Sequence, residues 1–138
     1  MTKSALQIER AKYTPKMPLA LQKNVKIVSG ENTESVADQE EIKKLFPNTY
    51  GMPTVTLVEG DGIDTSKVIN VGVILSGGQA PGGHNVISGI FDALKKLNPA
   101  NRLYGFLGGP SGLVLHNYIE LTQEIVEEYR NTGGFDII

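Results

Sequence analysis

Apolar residues recur along this chain in short runs, and the period of those runs changes near residue 67. Before that point the pieces are loosely tied. Residues 1–13 hold good helix formers with Ser4 as a capping residue, and Pro15 ends them. Residues 15–22 carry two prolines with Met17, Leu19 and Leu21, the pattern of an irregular arm. Val25–Val28 predicts a short strand closed by Ser29 and Gly30. Asp38, followed three residues later by Glu41, predicts a capping box and a short helix to Phe46. Thr54–Val58 alternates as a strand, and Glu59-Gly60-Asp61-Gly62 reads as a solvated turn rather than a pair of metal ligands.

From Lys67 onwards the pattern becomes strand, helix, strand, helix, strand, the sequence form of a parallel βαβ unit. The apolar, mostly β-branched run Val71, Val73, Ile74 and Leu75 forms the first strand. A helix beginning near His84 places Val86, Ile87, Ile90, Phe91 and Leu94 on one face, with Ser88, Asp92, Lys95 and Lys96 pointing elsewhere, and Asn98-Pro99 stops it. Leu103–Leu107 is the second strand. A helix is predicted from about Tyr118 to Arg130, burying Ile119, Ile125, Val126 and Tyr129, with Gly133-Gly134 as its cap. Phe135–Ile138 then predicts a third strand, and a chain that stops inside a strand signal reads as a fragment. The expected fold class is α/β with parallel strands, residues 67–138 forming the first βαβαβ part of a domain and residues 1–66 an extension before it.

Composition narrows the function classes. With 138 residues, 40% of them hydrophobic and 20% charged, the chain is long enough for one compact core. Its net charge of -2, without any block rich in lysine or arginine, argues against nucleic acid or an anionic membrane as partner. The absence of cysteine excludes a disulfide framework and a thiolate zinc site. No continuous apolar segment of signal or transmembrane length begins the sequence, so a cytoplasmic location is the default expectation.

The chemistry concentrates where the first core strand stops. Four glycines and a proline follow Ser76 within the seven residues 77–83, and a helical pattern begins directly after them. Ligands of open α/β folds settle off the carboxyl ends of the strands, and a turn without side chains lets backbone N–H groups approach a phosphate. Glycine content alone suits a tight, ligandless turn equally well. Two familiar phosphate loops are excluded by spacing: no Gly-Lys-Ser/Thr ends this turn, and G-x-G-x-x-G does not fit. His84, in the first turn of a helix, is expected to pack or hydrogen-bond as a neutral ring, Asn85 to tie the loop through its side chain, and His116 has no assigned role.

The order Gly77-Gly78-Gln79-Ala80-Pro81-Gly82-Gly83-His84-Asn85 resembles the N-terminal signature of the phosphofructokinase family, in the form found in its long, diphosphate-dependent branch. Leu103–Leu113 and Tyr129–Asp136 are similar to the blocks that follow in that family, so the resemblance covers roughly residues 68–138. It implies a three-layer Rossmann-like domain and phosphoryl transfer from diphosphate to fructose 6-phosphate, with Mg²⁺ bridging donor oxygens. It further implies a homodimer or larger homo-oligomer for the full-length protein. By the family pattern Gly77, Gly78, Gln79, Gly82 and Gly83 meet or shape the seat of the donor phosphate, while the catalytic base and the metal ligands fall outside this chain. Gln79 departs from the aspartate common in the ATP-using branch, and an amide adds no negative charge beside an anionic donor. An ATP-dependent relative and a noncatalytic regulatory subunit of the same fold are the alternatives. The chain by itself is expected to bind diphosphate weakly, half of the cleft being absent.

Overall fold

The computed structural model describes residues 3–17, 24–61 and 64–138. In chain order the elements are α1 (Ala5–Ala11), β1 (Val25–Asn32), α2 (Gln39–Leu45), β2 (Pro53–Glu59), β3 (Asn70–Val73), α3 (Gly83–Leu97), β4 (Arg102–Phe106), α4 (Pro110–Val114), β5 (Tyr118–Glu120) and α5 (Gln123–Tyr129). They group into two units, Met1–Pro15 with Asp64–Ile138, and Lys16–Ile63. Leu19 and Leu21 of the predicted arm, and Gly62 of the predicted turn, lie outside the described residues.

In the Lys16–Ile63 unit, β1 and β2 pair antiparallel, from Val25 opposite Glu59 to Asn32 opposite Pro53, with an irregularity between Ser29 and Asn32. The strand thus runs past the Ser29-Gly30 stop that the sequence suggests. The Asp38 capping box does not form: Asp38 takes a left-handed conformation (φ 53°), and its side chain makes no cap bond to α2. Aspartate tolerates that conformation, which a reading of sequence spacing cannot register.

The other unit carries the sheet. Val71 and Val73 of β3 are β-branched and pack against the core. Their strand pairs parallel with β4, Asn70 opposite Arg102 through Val73 opposite Gly105, and α3 makes the connection between them. Ile87, Phe91 and Leu94 of α3 meet Leu103, Leu121, Val126 and Ile137 in one buried cluster. Two residues depart from the predicted helix face: Val86 is exposed, while Ser88 is buried and donates its hydroxyl to the His84 carbonyl at 2.8 Å. In the same unit α1 forms behind the predicted Ser4 cap, and Gln7 completes a capping box.

The second half of the sheet corrects the sequence reading. Tyr118–Glu120 is not the start of a helix but a third strand, β5, antiparallel to β4 through Tyr104 opposite Glu120 and Phe106 opposite Tyr118. Thr122 then caps α5 by accepting from the Ile125 N–H, so the helix begins at Gln123. A five-residue helix, α4, with Pro110 in its first turn fills the preceding connection. The sheet therefore holds one parallel and one antiparallel pair. Phe135–Ile138 forms a turn and not a strand: Ile137 enters the core, and Ile138 lies over Gly105 of β4. Nor do Gly133 and Gly134 cap α5, which ends at Tyr129 with Arg130 as its cap residue and the left-handed residue at Asn131.

Two polar ties fix this layer. Arg130 reaches both oxygens of Asp92 at 2.8 Å and Glu127 at 2.9 Å, joining the end of α5 to α3. The hydrogen bond to Asp92 raises the guanidinium pKa above its ordinary value, so Arg130 stays positively charged. Asn101 is 0% exposed; its Oδ1 accepts from the Ile69 N–H at 2.7 Å and its Nδ2 donates to the Leu94 carbonyl at 3.0 Å. Replacing Asn101 by alanine leaves the Ile69 N–H without this acceptor at the entry to β3, which is expected to cost about 2 kcal/mol. Denaturant unfolding of the full-length protein checks this.

Candidate active site

The site grows from the end of β3. After Val73 the chain passes through the half-buried Ile74 and Leu75 and emerges at Ser76, and residues 76–81 are all exposed. Gly77 turns the chain with φ +95°, a conformation disfavoured for residues with a Cβ, and a Cβ built there would meet nothing within 4 Å. Gly78 is equally open. The backbone N–H groups of Gly77 and Gly78 make no hydrogen bond among the described residues. A turn of this form faces outward with its donors free.

A cleft of about 320 Å³ lies beside it, lined by Leu75, Gly77, Gln79, Gly108, Gly109 and Pro110, and closed by Phe135, Asp136 and Ile138. The two glycine-rich turns, one after β3 and one after β4, thus share one cleft off the carboxyl ends of the parallel pair, the expected place for a ligand. Larger concavities among the described residues do not coincide with these glycine turns; the one between α1 and α5 is lined mainly by Lys3, Gln7, Arg10, Glu127 and Glu128.

The start of α3 behaves differently from the general expectation for such turns. The Gly82 N–H donates to the Gly133 carbonyl at 2.9 Å, and the His84 N–H to the Gly134 carbonyl at 3.0 Å. Residues 133–134 thus take up donors of the first helical turn, and the free donors sit earlier, at Gly77 and Gly78. Gly82 supplies the left-handed residue before the helix (φ +100°), and Gly83 is buried. Among the five expected residues, Gly77 and Gln79 line the cleft, Gly78 lies beside them in the open turn, and Gly82 and Gly83 set the helix start.

His84 is enclosed, as a packing role requires: it is 3% exposed, edge-on to Tyr129 at 4.9 Å, with Nδ1 2.5 Å from the Thr132 hydroxyl. Its Nε2 lies 3.0 Å from the Asp136 carboxylate, a close approach that is not aligned as a hydrogen bond. Asn85 is exposed and its side chain makes no hydrogen bond among the described residues, contrary to the loop-tying role read from the sequence. His116 takes a left-handed conformation (φ 55°) in the turn after α4. Phe135 and Asp136 were missed as cleft residues because the sequence places them in a strand. The signal was Gly133-Gly134, whose carbonyls serve α3.

Among the described residues, no group of three or more histidine, aspartate or glutamate side chains converges as a metal centre, and Asp136 is the one carboxylate on the cleft. No helix among the described residues is long and apolar enough to cross a membrane.

A parallel strand pair joined by a helix, with an open glycine turn and a cleft at the strand ends, defines an α/β domain of Rossmann-like build, the fold class of the phosphofructokinases. No family model matches the chain. Its whole length is 59% identical to a pyrophosphate–fructose 6-phosphate 1-phosphotransferase of Porphyromonas gingivalis, covering 25% of that protein. It is 46% identical over 140 residues to one of Entamoeba histolytica, covering 100% of the chain and 26% of that protein. It is also 40% identical to the Solanum tuberosum subunit alpha of the same name, over 98% of the chain and 24% of that subunit. The chain belongs to the pyrophosphate-dependent phosphofructokinase family, and it spans about a quarter of the length of the curated relatives it matches.

Proposed function

We propose that this chain supplies the donor-phosphate wall of an enzyme that transfers a phosphoryl group from diphosphate to the 1-hydroxyl of fructose 6-phosphate, reversibly. The observation that carries the reading is the pair of glycine turns on one cleft, with the Gly77 and Gly78 donors free. Phosphoryl transfer depends chiefly on positioning and on stabilising charge over the transferred group's oxygens, and unpartnered backbone N–H groups supply donors without adding bulk. Gln79 agrees with a small, highly anionic donor, since its amide offers N–H groups and no charge. The names of the relatives state the same two substrates.

In this reading Gly77, Gly78 and Gln79 meet the donor, and Gly82 and Gly83 shape the turn into the helix. Mg²⁺, the catalytic base and the remaining cationic contacts belong to parts of the enzyme outside these residues. Residues 67–138 then begin the catalytic domain and residues 1–66 extend it; a cytoplasmic homodimer or larger homo-oligomer is the accompanying expectation. Assay of the full-length protein with diphosphate and with ATP tests the donor. Turnover with diphosphate is expected, and turnover with ATP alone overturns the proposal.

A further inference from the structure

The amino-terminal helix packs on the unit that carries the cleft. Residues 1–15 group with residues 64–138, while the intervening residues 16–63 form the other unit. α1 buries no side chain and contributes nothing to the hydrophobic core, so apolar burial does not account for its place. One side chain ties it there: the Asn131 amide donates to the Arg10 carbonyl at 2.7 Å and to the Tyr13 carbonyl at 3.0 Å. Both acceptors lie at the end of α1, where a helix runs out of donors of its own.

Where this tie lands is what gives it a function. Asn131 is the left-handed residue (φ 58°) that turns the chain just after α5. Directly beyond it, the Gly133 and Gly134 carbonyls accept from the Gly82 and His84 N–H groups at the start of α3. The Phe135 ring then fills the space that a Cβ on Gly83 would need, 2.6 Å away, and Phe135, Asp136 and Ile138 line the same cleft as Gly77 and Gln79. A left-handed conformation is disfavoured for a residue with a Cβ, and asparagine is among the few that tolerate it. With both amide hydrogens held by α1, Asn131 keeps that turn, and the turn sets where the wall runs. A tie needed only to hold α1 could land anywhere along α5; this one grips the residue from which the wall departs.

We infer that α1 is part of the donor site, with Asn131 as its positioning residue: clamped by the Arg10 and Tyr13 carbonyls, Asn131 holds residues 133–136 against the start of α3 and along the cleft. Neither α1 nor Asn131 lines the cleft, and both act through that wall. The inference rests on reading the cleft as the diphosphate seat, and one arm of its test does not.

In the full-length enzyme, Asn131→Gly allows the left-handed turn and removes the amide. Amide exchange at Gly82 and His84 reports whether residues 133–134 stay seated, with no substrate present. It is expected to quicken about tenfold in Asn131→Gly, a scale that two neutral hydrogen bonds reach. The KM for diphosphate is expected to rise about threefold or more while that for fructose 6-phosphate stays put, because a displaced wall weakens what it borders. Removing residues 1–13 takes away both acceptors and leaves the core cluster whole. That truncation should reproduce both effects, and Asn131→Gly should then add less than about twofold, since its partners are gone. Unchanged exchange, an unmoved KM for diphosphate, or equal factors for Asn131→Gly with and without residues 1–13 each overturn the inference. If the wild-type enzyme does not use diphosphate, the reading of the cleft falls, and exchange at Gly82 and His84 alone decides whether α1 holds the wall.

Discussion

Replacing Gly77 by valine in the full-length protein is expected to lower kcat/KM for diphosphate by about 100-fold or more, the scale of losing one preorganised donor to a reacting oxyanion. Two effects act at the same atom. At φ +95° a β-branched residue is strained, at a cost of order 1–3 kcal/mol, so the peptide is driven to rotate and carry its N–H groups out of the cleft. The side chain also enters space that is now empty, since a Cβ at this position meets nothing within 4 Å. Gly78→Ala is the control. Its neighbourhood is equally open and its backbone is not left-handed, so stability should move by less than about 0.5 kcal/mol. Steady-state kinetics with diphosphate, beside the unfolding midpoints of both variants, decide the matter. An unaltered kcat/KM in folded Gly77→Val would mean that the donor binds elsewhere.

The free turn was readable in the sequence because its causes are local. A β-branched run, a break of glycines and a helical period sit within about two dozen residues, and each signal is set by neighbours along the chain. The same holds for Ser4 and its helix. What escaped is governed by contacts distant in sequence. Ile119 fits a helical and an extended period equally well; its pairing with Gly105 of β4 chose the strand, and only Thr122, placed to cap Ile125, marked where the helix begins. Gly133 and Gly134 look like a helix stop, yet what fixes them is the pair of N–H groups offered by α3 far upstream. The same long-range contact bent Phe135 and Asp136 away from a strand and onto the cleft. Gly77, Gly78 and Gln79 stand at the open turn by local logic, while tertiary hydrogen bonding and packing hold Gly82 and Gly83 at the helix start.

The largest loss of stability is expected from Gly112→Ala. In an ordinary helix this change is favourable, and Gly89 in the middle of α3 illustrates it: a Cβ there meets nothing within 4 Å, so Gly89→Ala should stabilise by about 0.5–1 kcal/mol. Gly112 sits in α4 against backbone. Its Cβ would stand 2.4 Å from the Leu107 carbonyl oxygen, 2.9 Å from the Leu107 nitrogen and 3.0 Å from the Asn117 carbonyl oxygen. Those atoms are not flexible side-chain ends that can swing aside. The Leu107 N–H donates to the Asn117 carbonyl at 3.0 Å, and the Asn117 N–H to the Gly112 carbonyl at 2.8 Å, so residues 107–117 close tightly around the missing side chain. Relief of the clash must break at least one of these bonds or lift α4 from the end of β4. The expected cost is about 3 kcal/mol or more, above the usual range for an added methyl in a packed core. Because Gly108, Gly109 and Pro110 are the cleft wall carried by this loop, donor binding should weaken in whatever fraction remains folded. Unfolding midpoints of Gly112→Ala and Gly89→Ala in the full-length protein should move in opposite directions; a shared direction would mean that the loop after β4 yields where its hydrogen bonds say it holds.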